Sequence, residues 1–265
     1  MDYTGILIAA VVVAILGIAV GLFLGFASKK FAVEVDEKEL AVRDALPGNN
    51  CGGCGYAGCD ALAKAIAAGE APVNACPVGG PAAAEKIAAV MGVEAGSSER
   101  KAAFVKCSGS CNKVRFQYEY YGDGDCREVS VVPGAGEKQC AYGCMGYGSC
   151  VKACKFDAIH VVDGVAVVDS EKCTACGACV NTCPMHLIEL IPVSKTYRVT
   201  CSSNAKGKQV REACDNGCIG CMLCVKQCEF DAIHVENNLA RIDYSKCTGC
   251  GKCAAKCPAK IIHKI

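Results

Sequence analysis

The chain opens on an unbroken apolar block. Gly5 to Ala27 is 23 residues without a charge, and as a helix it spans about 34 Å against a hydrocarbon core of about 30 Å. Asp2 precedes it and Lys29-Lys30 follow. A secretory leader has a basic start and a shorter apolar core, so residues 1–30 read as one transmembrane anchor. The two lysines place the body that follows in the cytoplasm. Gly17, Gly21 and Gly25 fall four apart on one helix face, a surface suited to close packing against another membrane helix.

Beyond the anchor the apolar patterns are short. Glu34–Ala45 reads as an amphipathic helix with Val35, Leu40, Val42 and Leu46 as apolar contacts, ended by Pro47-Gly48-Asn49-Asn50. Ala61–Ala68 and Pro81–Met91 are Ala-rich and helical, and Glu94–Lys101 is a polar linker. Phe104–Cys107 begins a strand. Short strand pairs follow, Ala158–Val162 with Val165–Asp169 and Ala232–Glu236 with Leu239–Asp243. With no Trp and few other aromatics, such elements bury little. A net charge of +1 implies no field for nucleic acid.

Cysteine changes the picture. There are 25, enough to mark a cysteine scaffold. Cys218, Cys221, Cys224 and Cys228 form one C-x2-C-x2-C-x3-C run, and Cys247, Cys250, Cys253 and Cys257-Pro258 form another. Three closely spaced thiolates cap three corners of a [4Fe–4S] cube, and the fourth of each run ligates the partner cube. One site is therefore Cys218, Cys221, Cys224 and Cys257; the other is Cys247, Cys250, Cys253 and Cys228. Zinc sites close with four ligands in paired spacing, and disulfides need an oxidising compartment; both fit less well. Clusters then act as the cores of small modules.

The same module occurs twice. Lys152–His160 matches Lys226–His234, and Cys154 to Cys173 is 19 residues, as is Cys228 to Cys247. Cys173, Cys176, Cys179 and Cys154 follow the regular pattern. The companion site is irregular, because Tyr147 stands where Cys221 stands in the second copy. Cys140 is the expected replacement, giving Cys140, Cys144, Cys150 and Cys183; a three-iron cluster is the alternative. Upstream, Cys51-Gly-Gly-Cys54-Gly-Tyr-Ala-Gly-Cys59 with Cys76-Pro77 supplies a further four-Cys site, its glycines letting backbone N–H groups approach sulfur.

Five cysteines remain: Cys107, Cys111, Cys126, Cys201 and Cys214. Cys107, Cys111 and Cys126 make three-quarters of a site that Cys201 or Cys214 could complete. A competing arrangement gives Cys140 to this group, and a third leaves all five as structural thiols. Six four-iron clusters need 24 ligands and leave one cysteine over, so five or six clusters are expected.

A single apolar N-terminal helix, then Leu46-Pro-Gly-Asn-Asn-Cys51-Gly-Gly-Cys54-Gly-Tyr-Ala-Gly-Cys59 and Cys76-Pro77, then ferredoxin repeats, resembles the B subunits of Rnf complexes, the membrane-bound ferredoxin:NAD oxidoreductases of bacteria. The resemblance covers essentially the whole chain. A related four-Cys module occurs in corrinoid iron–sulfur proteins, which lack this anchor and these repeats. The resemblance implies an inner-membrane subunit that takes electrons from reduced ferredoxin and passes them to other Rnf subunits, with NAD reduced on another chain and Na+ or H+ pumped. A membrane-anchored polyferredoxin of another oxidoreductase is the alternative.

The expected fold is α+β. The anchor is followed by a helical four-Cys module at 31–92 and a connecting region at 93–139. Ferredoxin-like modules at 140–192 and 193–265 complete it. No Gly-rich phosphate loop follows a strand, so no nucleotide or flavin pocket and no catalytic side chains are expected. His160 and His234 hold equivalent structural positions; His186, after Cys183-Pro184-Met185, is placed to tune a cluster by hydrogen bonding. Ile219, Met222, Leu223, Ile233 and Ile261 are expected to form an apolar shell. Lys252, Lys256 and Lys260, four apart, offer a basic docking face for an acidic ferredoxin.

Overall fold

The fold is described from a computed structural model covering residues 3–30, 36–96 and 99–264. Val35 lies outside these residues. Helix α1 runs Tyr3–Lys30. Its large apolar side chains face outward, with Leu22 and Phe23 each 70% exposed. Side chains are described without a break from residue 11 to 27, and among the described residues no helix is long and apolar enough to cross a membrane. The backbone helix itself is 28 residues long.

The next module is a three-helix core. Asp36 caps α2 (Glu37–Ala45) by accepting from the Lys38 N–H at 2.9 Å, which satisfies an otherwise orphaned donor. Helix α3 is Cys59–Ala67 and α4 is Gly80–Met91, ended by left-handed Gly92. Val42, Leu46, Leu62, Ile66 and Ile87 pack together with Cys59 and Cys76. Leu40, expected to join them, is 53% exposed, because it lies on a different side of the helix from Val42.

Two copies of one fold make up the rest. The first is β1 (Lys101–Val105), α5 (Cys126–Val129), α6 (Ser149–Ala153), β2 (Ile159–Val162), β3 (Val165–Val168), α7 (Ala178–Thr182) and β4 (Ile188–Pro192). The second is β5 (Tyr197–Val199), α8 (Gly207–Ala213), α9 (Leu223–Lys226), β6 (Ile233–Glu236), β7 (Leu239–Ile242), α10 (Lys252–Lys256) and β8 (Ile262–Lys264). In each, the first strand pairs antiparallel with the last, β1 with β4 and β5 with β8. An inner hairpin, β2–β3 or β6–β7, lies between them in sequence. Its turns are Asp163-Gly164 and Asn237-Asn238, all at positive φ, as tight two-residue hairpins require.

The copies correspond in detail. Lys106 N–H donates to Leu187 O and Thr200 N–H to Ile261 O, both at 2.8 Å. Ile159 and Ile233 are each 2% exposed at matching core positions, each burial contributing about 1.5–3 kcal/mol. His160 and His234 stand 3.7 and 3.8 Å from Asp157 and Asp231, so they play one repeated surface role. The connecting region is not a separate piece: β1 belongs to the first copy. Around residues 113–117 the chain hydrogen-bonds to 137–139 on one side and 213–215 on the other.

Candidate metal centres

The structure gathers the thiols into sets. Cys154, Cys173, Cys176 and Cys179 line one cleft, and Cys218, Cys221, Cys224 and Cys257 line another. In each the fourth cysteine comes from the far end of a short helix. Burial, then the neighbouring thiols, pushes Cys179 and Cys224 up to about 11. Cys253 is raised by burial and by nearby Cys247, Cys250 and Cys228. In the N-terminal module Cys76 is raised by burial and by Cys59 and Cys54, with Cys51 on the same glycine-rich loop.

Backbone donors point at these sulfurs. Gly79 N–H donates to Cys76 Sγ, Ala103 N–H to Cys173 Sγ and Ala232 N–H to Cys228 Sγ, each at 3.3 Å. Such N–H···S contacts favour thiolate and tune a bound cluster.

The irregular set differs from the expectation. Cys126, not Cys140, lines a cleft with Cys144, Cys150 and Cys183. Burial and then Cys144, Cys126 and Cys183 push Cys150 up to about 12. The reason is an insertion. Cys107 precedes Cys140 by 33 residues, whereas Cys201 precedes Cys214 by 13. The extra residues fold back over Tyr147, which meets Tyr120 edge-on at 5.7 Å between ring centres. They bring α5 alongside α6, where Cys126 N–H donates to Ser149 Oγ at 2.8 Å. Cys126 thereby reaches the cleft of the set whose run has Tyr147 in place of a cysteine. The unequal spacing is the sequence signal that could have found it.

Cys140 lies instead beside Cys107 and lines a different cavity with Cys201 and Cys214. Cys107, Cys111 and Cys126, considered together from sequence, are not brought together. Cys111 is exposed, and its Sγ lies near Gly164. His186 closes the turn after Cys183 through its own N–H to Cys183 O at 3.1 Å. Ile233 and Ile261 are buried, but Met222 and Leu223 are 48% and 43% exposed, because the short α9 turns them outward. Lys252, Lys256 and Lys260 are exposed, and Lys252 pairs with Glu229 at 2.5 Å.

Among the described residues, no three His, Cys, Asp or Glu side chains are set to hold a single metal ion. The sets are sulfur-only, lie partly buried against apolar walls, and receive backbone N–H groups. These features fit cube-shaped iron–sulfur clusters, which are capped at their corners by thiolates.

Fold and sites thus define an iron–sulfur protein of repeated ferredoxin type. The family model described as "Putative Fe-S cluster" matches residues 46–78, a 4Fe-4S binding domain matches 166–189 and a 4Fe-4S dicluster domain matches 217–261. The B subunit of the Na(+)-translocating ferredoxin:NAD(+) oxidoreductase complex of Acetobacterium woodii is 48% identical over 97% of this chain and 77% of its own length. The B subunit of the ion-translocating oxidoreductase complex of Methanosarcina acetivorans is 44% identical over 95% of this chain and 96% of its own. The proton-translocating counterpart from Clostridium ljungdahlii is 43% identical over 98% and 93%. The chain belongs to the B-subunit family of these ion-translocating Rnf complexes.

Proposed function

We propose that this chain relays electrons from reduced ferredoxin into a membrane complex that reduces NAD and moves Na+ or H+. When bound, its [4Fe–4S] clusters supply one-electron redox chemistry. The protein's own work is to hold them near one another. The observation that carries this reading is ligand exchange within each copy. Cys154 leaves α6 to join Cys173, Cys176 and Cys179, while Cys183 leaves α7 to join Cys126, Cys144 and Cys150. Cys228 and Cys257 exchange in the same way in the second copy.

The proposed ligand sets are Cys51, Cys54, Cys59 and Cys76; Cys154, Cys173, Cys176 and Cys179; Cys126, Cys144, Cys150 and Cys183; Cys218, Cys221, Cys224 and Cys257; and Cys228, Cys247, Cys250 and Cys253. Helix α1 is proposed as a single-pass anchor. An outward apolar surface and the uncharged stretch from Gly5 to Ala27 support this, and Lys29-Lys30 favour a cytoplasmic body.

Docking of ferredoxin is proposed at the last set, where Lys256 and Lys260 are exposed. Lys252 is partly neutralised by Glu229. When the anaerobic complex is mixed with reduced ferredoxin, the cluster absorbance of this chain should bleach before NADH appears. Lys256→Glu with Lys260→Glu should raise the KM for ferredoxin and flatten its salt dependence. Clusters that stay oxidised under reduced ferredoxin while NADH forms would refute the relay.

A further inference from the structure

We infer that Cys107, Cys140, Cys201 and Cys214 form a sixth [4Fe–4S] site, built between the two copies with two ligands from each. The inference rests on the reading that this chain carries such clusters, and it adds a site that joins the repeats.

The four thiols line one cavity of about 390 Å³. They are two pairs at equivalent positions of the two copies. Cys107 follows β1 and Cys201 follows β5 at matching places, in Val105-Lys106-Cys107-Ser108 and Val199-Thr200-Cys201-Ser202. Cys140 stands four residues before Cys144, and Cys214 four before Cys218.

The backbone around them repeats the same correspondence. Cys144 N–H donates to Cys107 Sγ at 3.4 Å, and Cys218 N–H donates to Cys201 Sγ at 3.3 Å. Gly109 N–H donates to Cys107 Sγ at 3.4 Å, and Ser203 N–H to Cys201 Sγ at 3.5 Å. Glycines lie against the other two sulfurs: a Cβ at Gly143 would stand 3.4 Å from Cys140 Sγ, and one at Gly109 3.4 Å from Cys214 Sγ. Cys107 and Cys201 therefore each face two amide donors, as Cys76, Cys173 and Cys228 of the regular sets each face one. Such donors favour the thiolate form that a cluster needs.

Pairing across the copies is independent of the sulfurs. Thr200 Oγ1 lies 3.1 Å from Ser108 Oγ, Ser202 Oγ donates to Lys106 O at 3.0 Å, and Arg115 meets Asp215 at 2.5 Å. Beneath the cavity Lys138 is 5% exposed. Its ammonium donates to Gly164 O at 2.6 Å, Cys144 O at 2.9 Å and Gly109 O at 3.3 Å. A fixed positive charge thus backs a site whose four thiolates would otherwise add uncompensated negative charge.

Position gives the site its role. Cys144 donates its amide to the new site and its own sulfur lines the Cys126 set. Cys218 does the same toward the Cys221 set. The sixth site is therefore the station between the two copies, and electrons pass through it from the second to the first.

The test compares Cys107→Ser, Cys201→Ser, Cys214→Ser and Cys111→Ser in the full anaerobic chain, by iron, sulfide and 57Fe Mössbauer spectroscopy. The first three should each lose the same spectral component, with about four irons. Cys111→Ser should lose none. Full iron in Cys201→Ser, or loss of a component in Cys111→Ser, overturns the site while leaving the relay through the other clusters standing. A second readout needs no variant. In the loaded wild-type chain, exposed Cys111 should react at once with a small alkylating reagent. Half-buried Cys107 and Cys140 should react after a chelator has bleached the clusters. Equal reactivity of all three before bleaching also overturns it.

Discussion

Gly53 of the N-terminal module rests directly on the backbone of Cys176 in the first ferredoxin copy: a Cβ at Gly53 would stand 2.6 Å from Cys176 O. The contact joins two cysteine-bearing loops, so it sets how closely the proposed Cys51 set approaches the proposed Cys154 set. Gly53→Val should keep its iron but separate the modules. We expect weaker magnetic coupling between those two reduced clusters and faster proteolysis at residues 93–100. Coupling and cleavage equal to the unaltered chain would mean that the contact sets nothing.

The place of Cys126 makes a rescue experiment. Tyr147 occupies the regular ligand position, and its hydroxyl is buried without a partner. Cys126→Ser should therefore lose one cluster, about four irons. Adding Tyr147→Cys restores C-x2-C-x2-C between Cys144 and Cys150, and should recover the iron. Failure of the double variant to regain it, with Cys126→Ser still folded, would show that the insertion supplies more than a thiol.

Lys138 ties three loops together through a buried ammonium. Hydrogen bonds to charged groups are worth more than neutral ones, and a buried acceptor left without its donor is costly. Lys138→Met should lower stability by about 2–4 kcal/mol, read as earlier loss of visible absorbance in urea under anaerobic conditions. It should also lower the midpoint potentials of the two adjoining clusters, because a nearby positive charge favours the reduced form. Unchanged potentials would show that the lysine acts through its hydrogen bonds alone.

Burial pushes Cys150 up to about 12 and Cys201, Cys214, Cys179 and Cys224 up to about 11, from 9.0. A folded-state pKa raised above the unfolded value contributes stability that is complete below the unfolded value. That contribution is lost as pH rises through the folded one. The cluster-free chain should therefore weaken between pH 9.0 and about 12. Cluster binding competes with the same protons, so reconstitution should quicken from about pH 7 to about pH 9 and release acid. A pH-independent rate would contradict this.

How much was legible depended on whether ligands lie close together in the chain. The Cys173–Cys179 and Cys218–Cys224 runs are local, so spacing alone groups the members of each as the clefts do. The hairpins were legible too, because short alternating strands flank a turn and recur in both copies. Cys126 was hidden because an inserted loop delivers it from a distance. The grouping of Cys107 with Cys201 or Cys214 and Cys140 was among the arrangements left open, and spacing could not choose it because two of these thiols come from each repeat. Leu40, Met222 and Leu223 read as apolar contacts but face outward, since their helices are too short to bury more than one face.

A chain of clusters continuous from the second copy to the N-terminal module is what all these sites together imply. The most direct measurement is iron and acid-labile sulfide on the full chain, purified without exposure to oxygen. About 24 of each per chain are expected, four for each of six sets. About 20 of each would remove the Cys107 site and break the continuity between the copies. Zinc in place of iron, with little sulfide, would contradict the relay itself.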